Sequence, residues 1–273
     1  MRYLAYASTD GSMIGAVDDD GMIRPLMSME RFYRDPFAGA AAEPQDAPMD
    51  AASITAVPLV QPTAKILCVG QNYALHVNEM GGTRPERPNI FARWWSSLTV
   101  DGAEVPLPDN EPGLDWEVEL TAIVGRPMRS VGVDDVMDNI VAYTVFNDIS
   151  ARIHQKKTSQ WALGKNADHS GPIGPTAVTA DELGDPYGRG LRTRVNGEVM
   201  QDGNTGDMLF TIAEALSYAS ETMTLMPGDV IATGTPSGVG AGMDPQRFLG
   251  AGDVCEVEVD GIGTLTNRVV ARG

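Results

Sequence analysis

Cysteine, long apolar runs and positive charge are all scarce in this sequence, and each shortage removes a class of protein. Two cysteines in 273 residues rule out a disulfide framework. Cys68 and Cys255 both sit in apolar, strand-like surroundings and read as buried, reduced thiols. No stretch approaches the roughly 18 consecutive apolar residues of a membrane span. The opening MRYLAYASTDGSM lacks the apolar centre of a signal peptide. A soluble, cytoplasmic protein is expected. Basic residues number 20 against 37 acidic ones, for a formal net charge of −17 and a pI near 4.4. Such a surface argues against nucleic acid and anionic membrane as partners. It does not set the charge of a substrate, because a site's local field can oppose the global one.

What is present is an ordinary globular composition, 42% hydrophobic, with 30 glycines and 18 prolines that imply many turns. Residues 2–25 read as a small β meander, punctuated by Thr9-Asp10-Gly11 and Asp18-Asp19-Asp20-Gly21. Residues 35–62, rich in Ala, Pro and Asp, suggest a loosely packed linker. A short buried strand follows at Lys65–Gly70, and strand signals dominate from there on. Asn196-Gly197 and Asp260-Gly261 mark tight turns between strands. Helical spacing is clear in Thr211–Thr222, with shorter helical turns at Asp134–Met137 and Thr158–Leu163. The expected class is mainly β with short helices (α+β). A small N-terminal β domain with its linker would occupy 1–62, and a larger domain 63–273.

Three groups of residues invite chemistry. In LDWEVEL, Glu117 and Glu119 sit two apart, so on a strand they share a face, roughly 6–7 Å apart along the chain. Taken alone, the stretch favours a solvated carboxylate face with Trp116, Val118 and Leu120 inward. If the face is buried, repulsion and desolvation must be offset. Asp148 ends the apolar run Ile140–Asn147, where an acid is commonly a cap or turn residue. His76 and Glu79 are three apart, so a helical turn lets them hydrogen-bond, as a general base does or as a surface pair does. A divalent ion would link Glu117, Glu119 and Asp148. All-oxygen ligands select hard cations, Mg2+ or Mn2+ ahead of Ca2+. Lys165 offers a cation for an enolate. The glycine-rich run Ala232–Gly240 lacks the Gly-Lys-Ser/Thr ending of a nucleotide loop, but its backbone amides are able to hold a substrate carboxylate.

Together these stretches resemble the fumarylacetoacetate hydrolase family. The likeness runs from about Lys65 to the end. It rests on VGQNYALHVNEMG, DWEVELTAIVG, YTVFNDISAR, QWALGKNAD, GPIGP, RVNGEVMQDGNT, PGDVIATGTPSGVG and GIGTLTN, in the family's order. The resemblance implies a mixed β-roll, a homodimer, and Glu117, Glu119 and Asp148 as ligands of Mg2+ or Mn2+. It implies His76 and Glu79 as a water-activating pair on a mobile lid, with Met80-Gly81-Gly82-Thr83 as the hinge. Gln155 and Lys165 match substrate-orienting positions, and Thr235 lies in a substrate-facing loop. Departures fall at Arg93-Trp94-Trp95, at Ile153-His154 before Gln155, and at Asn166–His169. Arg93 is expected to meet the substrate's charged end or a site carboxylate, and His154 and His169 to be structural or superficial.

The activity this implies is hydrolytic cleavage of a carbon–carbon bond in a β-diketone such as an acylpyruvate, with a small-molecule 2-oxo acid as substrate. The rival within the family is an oxaloacetate-type decarboxylase or keto–enol tautomerase (isomerase), which needs no attacking water. A metal-stabilised scaffold without turnover is the rival from another class, and it needs neither the His-x-x-Glu pair nor the lysine.

Overall fold

Two mixed β-sheets organise the chain, seen in a computed structural model that describes residues 1–44 and 46–272. Gln45, in the expected linker, and Gly273 lie outside the described residues. The strands are β1 (Arg2–Ser8), β2 (Gly11–Val17), β3 (Ile23–Ser28), β4 (Ile66–Gly70), β5 (Asn89–Arg93), β6 (Leu98–Thr99), β7 (Glu104–Pro106) and β8 (Val118–Val124). They continue as β9 (Ile140–Asn147), β10 (Gly171–Thr179), β11 (Gly190–Val195), β12 (Glu198–Asn204), β13 (Val230–Ala232), β14 (Val254–Val259) and β15 (Gly263–Val270). The larger sheet runs β3-β2-β1-β10-β9-β8-β13-β4-β5, with β6 beside β10; the smaller runs β12-β11-β14-β15-β7. The mainly β class expected from the sequence is what the fold shows.

The expected N-terminal meander forms β1 to β3. It extends the large sheet, because β1 pairs with β10 through Arg2↔Val178 and Tyr3↔Ala177. The linker stretch is better packed than its composition implied. It contains the helix Pro36–Ala40, and Leu59 and Val60 are buried. Asn196-Gly197 makes the β11–β12 turn, with both residues at positive φ, as a two-residue hairpin loop demands. Helix Ile212–Ser220 starts with a capping box between Thr211 and Glu214. The helical turn expected at Thr158–Leu163 lies slightly later, at Ala162–Lys165, preceded by a helix at Arg152–Lys156. No helix among the described residues is long and apolar enough to cross a membrane.

Strands β8 and β9 sit mid-sheet and are buried along their whole length. Val118, Leu120, Ala122 and Val124 pack with Leu191, Val195, Val257 and Leu265 of the smaller sheet. From the opposite face, Ile123 joins Phe146, Cys68, Phe32 and Tyr3. The solvated carboxylate face that LDWEVEL favours is therefore overturned: a central strand covered on both sides has no wet face.

Candidate active site

The period-two alternation of β8 puts Glu117 and Glu119 on the face of Ile123, away from Val118 and Leu120. The β8–β9 register pairs Glu119 with Phe146 and Val118 with Asn147. It carries one step further, because the Asp148 N–H donates to the Glu117 carbonyl at 2.9 Å. Asp148 thus stands across from Glu117 on the same face. The three carboxylates offer oxygens that lie within 4.8 Å of one another, all in buried residues.

Cations reach this cluster from elsewhere in the chain. Lys165 Nζ donates to Glu117 Oε2 at 2.7 Å and to Asp148 Oδ2 at 2.6 Å. Arg152 Nε donates to Asp115 Oδ2 at 2.7 Å, and its Nη2 approaches Glu117 Oε1 to 2.6 Å. Arg93 Nη1 donates to Asp148, and Nη2 to Ser170 Oγ. Arg93 has no exposed side-chain surface. Of the two partners expected for it, the one it meets is a site carboxylate; closed off from solvent, it is not positioned to meet a substrate's end. Gly164 allows the lysine to arrive: a Cβ there would lie 2.3 Å from Gln155 Cβ, so only glycine lets the two short helices touch. Gln155 is buried and accepts from Arg152 Nη1 at 2.9 Å through Oε1.

Charges do not balance. Four buried carboxylates (Asp115, Glu117, Glu119 and Asp148) face three buried cations (Arg93, Arg152 and Lys165). Burial pushes the Glu117 carboxyl up, but Lys165, Arg152 and His76 outweigh it and hold it down at about 2. Burial pushes Lys165 down, and Asp148 and Glu117 overcome this, so its ammonium titrates above the usual range. Glu119 is the member left over. Burial, then the charges of Asp148 and Glu117, raise its carboxyl well above the usual range, offset only in part by Lys165 and the Gly234 N–H. A hard divalent cation fits this donor set, because it meets three oxygens and supplies the missing positive charge.

The glycine-rich run was a candidate cradle for a substrate carboxylate. Three of its amides, and that of Ala241 just beyond it, serve the protein's own acids. Gly234 N–H donates to Glu119 at 2.8 Å and Gly238 N–H to Glu79 at 2.9 Å, while those of Gly240 and Ala241 donate to Asp115 at 2.7 and 3.0 Å. Close approach explains the glycines: a Cβ on Gly240 would lie 1.7 Å from the Arg247 carbonyl oxygen. Thr235, in the same loop, is buried, and its Oγ1 accepts from Gln201 Nε2 at 2.8 Å.

His76 and Glu79 share a face of helix Ala74–Glu79, with His76 Nδ1 and Glu79 Oε1 2.8 Å apart. The helix is docked, not displaced as a swung-out lid would be. Tyr73 and Val77 are buried under it, and Glu79 is held by Gly238. Gly81 and Gly82 end the helix, with φ of +68° at Gly81, Gly81 N–H to the Asn78 carbonyl at 3.0 Å and Gly82 N–H to that of Val77 at 2.9 Å. That is a Schellman cap, which fixes the exit of the chain.

Three residues that bind the site together escaped the sequence reading. Asp115 is fully buried and joins Arg152 to the glycine loop. Arg152 was noticed only as part of a motif. Gln201 accepts from the Val118 N–H at 3.1 Å and reaches Thr235 and the Pro236 carbonyl, both at 2.8 Å. His154 Nδ1 lies 2.7 Å from Glu111 Oε2, and Glu111 also accepts the N–H groups of Ile153 and His154. His169 is an exposed loop residue. A separate cavity of about 680 Å³ beside Tyr33, Lys65 and Asp229 contains none of the clustered acids.

Comparison with known proteins places this geometry in context. Residues 65–270 match the family model of the fumarylacetoacetate hydrolase C-terminal region. A mitochondrial oxaloacetate tautomerase of Xenopus laevis is 41% identical over 215 residues, 78% of this chain and 67% of that protein. A 2,4-didehydro-3-deoxy-L-rhamnonate hydrolase of Sphingomonas sp. (strain SKA58) is 38% identical over 274 residues, 98% of this chain and 96% of that one. Among solved structures, a fumarylacetoacetate hydrolase from Exiguobacterium antarcticum superposes over 100% of both chains with a TM-score of 0.84 at 32% identity.

Proposed function

The chain belongs to the fumarylacetoacetate hydrolase family, and we propose that it is a divalent-metal-dependent hydrolase cleaving a carbon–carbon bond in a β-diketone of the acylpyruvate type. The observation that supports hydrolysis is the His76–Glu79 pair, bonded at 2.8 Å and held by Gly238 within electrostatic reach of Glu117. Glu117, Glu119 and Asp148 would hold Mg2+ or Mn2+, which when bound polarises the oxygens of a 2-oxo acid as a Lewis acid.

The chain's own groups do the rest. A His76 Nδ1–H that donates to Glu79 leaves Nε2 to take a proton from water. The water oxygen bonds to the distal carbonyl carbon, the carbon–carbon bond breaks, and its electron pair passes into the pyruvate enolate. Lys165 has two of its three N–H bonds on Glu117 and Asp148 and turns the third to the enolate oxygen. Protonated His76 then returns its proton to the enolate carbon. Gln155, its oxygen fixed by Arg152, and Thr235, its oxygen fixed by Gln201, orient the substrate with their remaining N–H and O–H donors.

The second reading is an oxaloacetate-type tautomerase or decarboxylase, favoured by the Xenopus laevis relative's name and needing the triad and Lys165 but no attacking water. Metal-loaded protein given acetylpyruvate and oxaloacetate separates them. Acetate and pyruvate from the first support hydrolysis. Keto–enol conversion or CO2 from the second, with acetylpyruvate intact, supports the rival. The reading includes a homodimer, for which exposed Trp94 and Leu163 supply apolar surface; sedimentation velocity would test it.

A further inference from the structure

The two halves of the site come from different parts of the chain, and their spacing has to be fixed by something else. His76 and Glu79 stand on the helix Ala74–Glu79, whereas Glu117, Glu119 and Asp148 stand on or beside β8 and β9. Among the described residues no hydrogen bond runs directly from the pair to the triad. The fully buried Asp115 carboxylate joins them. Its Oδ1 accepts the Gly240 N–H at 2.7 Å and its Oδ2 the Ala241 N–H at 3.0 Å, which fixes the short turn Gly240–Gly242. That turn adjoins Glu79 on two sides. Gly238 N–H donates to Glu79 Oε2 at 2.9 Å, and a Cβ on Gly242 would stand 2.9 Å from Glu79 Cδ. Residues 238–242 are thus the seat of Glu79, and Asp115 holds the middle of that seat.

Toward the triad, Asp115 Oδ2 also accepts from Arg152 Nε at 2.7 Å. The other two guanidinium nitrogens reach Gln155 Oε1 at 2.9 Å and Glu117 Oε1 at 2.6 Å. The backbone of Asp115 is tied as well: it and Ser150, two residues past Asp148, exchange both N–H···O bonds at 2.9 Å. An aspartate kept only to neutralise Arg152 needs neither amide, and one kept only to cap the turn needs no arginine. Asp229 shows the plainer case. It is equally buried, accepts the N–H groups of Lys65 and Met226, pairs with Lys65 Nζ, and sits at the opposite ends of β4 and β13 from the site.

Resting on the hydrolytic reading above, we propose that Asp115 is a positioning residue for the reaction: through residues 238–242 it aims the Glu79–His76 base, and through Arg152 it steadies Glu117, so that the base and the triad keep one spacing. Asparagine cannot do both. With its one side-chain oxygen toward the Gly240 N–H, its NH2 faces the donors of Ala241 and Arg152; turned over, it faces the Gly240 donor instead. The base meets the attacking water in the transition state. Misaiming it therefore lowers kcat more than it weakens the binding of a 2-oxo acid.

The test sets Asp115→Asn beside Asp229→Asn, the same change at a buried aspartate remote from the site. Asp115→Asn should lower kcat for acetylpyruvate by about 10–100-fold with KM within about threefold, and weaken Mn2+ binding, read by electron paramagnetic resonance, by about tenfold. Ring-nitrogen NMR of the chain's three histidines reads the aim of the base without turnover. It is run on Mg2+-loaded protein at a pH where the ring is neutral, with His76 assigned by its loss in His76→Ala. Wild type and Asp229→Asn should show His76 in the Nδ1–H form, and Asp115→Asn a mixture of tautomers. Either readout unchanged in Asp115→Asn, or both shifted equally by Asp229→Asn, would overturn the proposal. Should Asp115→Asn not fold, Gly242→Ala crowds Glu79 and leaves the buried ion pairs intact; it should shift the His76 signals and keep Mn2+ binding within about twofold. His76 signals unmoved there would overturn the proposal too. If wild type cleaves no acid while both readouts move as expected, the positioning role stands and only the hydrolytic reading falls.

Discussion

Glu119→Gln should stabilise the protein when metal is stripped and leave it the weaker protein when metal is added. Glu119 is 2% exposed and beside Glu117 and Asp148, and among the described residues its one hydrogen bond is from the Gly234 N–H. Burial and the two neighbouring charges hold its carboxyl well above its ordinary value of 4.5. Below that pH the group is protonated folded and unfolded alike and costs nothing. As pH rises, the unfolded chain releases the proton first, so folding stability falls by about 1.4 kcal/mol per pH unit until the folded carboxyl also ionises. By pH 7 the loss reaches at most about 3.4 kcal/mol. Glutamine keeps the shape, can accept the Gly234 N–H, and carries no charge.

Urea unfolding of chelator-treated proteins between pH 5 and 8 should therefore show the variant ahead by about 1–3 kcal/mol at pH 7, with the gap closing toward pH 5. Glu117 does not confuse the measurement. Its carboxyl is held at about 2, so its contribution is lost only as pH falls below its ordinary 4.5. Adding Mn2+ at a thousandfold excess over Kd should stabilise the wild type by about 4.1 kcal/mol and the variant hardly at all, reversing the order. A variant less stable than wild type at pH 7 without metal would refute the charge argument, as would a gap that does not change with pH.

Three further outcomes follow from the same geometry. His76→Ala should cut acylpyruvate hydrolysis by about two to four orders of magnitude and any oxaloacetate tautomerisation far less; equal losses would make His76 a substrate-positioning group. Arg93→Lys should weaken Mn2+ binding by about 10–100-fold, measured by electron paramagnetic resonance, because a lysine cannot hold Asp148 and Ser170 together. Gly240→Ala should cost about 2–4 kcal/mol in urea unfolding, since its Cβ would sit 1.7 Å from a backbone oxygen, whereas Gly132→Ala, with its nearest contact at 3.6 Å, should cost under about 1 kcal/mol.

What could be read before folding was local. Alternation put Glu117 and Glu119 on one face, and a three-residue spacing joined His76 to Glu79, because both depend only on the geometry of a single element. The same alternation, run two residues back, would have picked Asp115, a third acid of the row in a stretch with no wet face. Register was not legible. Nothing in residues 140–148 says that Asp148 lands opposite Glu117, and the motif resemblance supplied that link in place of physics. The glycine-rich run Ala232–Gly240 reads in the sequence as a loop whose amides could hold a substrate carboxylate, yet Gly240 answers to Arg247 and Gly238 to Met200, contacts made across the fold.

Burial of LDWEVEL turns on the same distinction. A row of acids reads as solvated because a local sequence shows no cation to answer it. Here the answers come from Arg93, Arg152 and Lys165, on three other segments, and each arrives only when the sheet and the two short helices have assembled. Even then they leave Glu119 unanswered. A site built for structure alone would close that gap with one more basic side chain, at less cost than a buried, unpaired carboxylate. The gap is therefore best understood as the place kept for a cation that the chain itself does not encode.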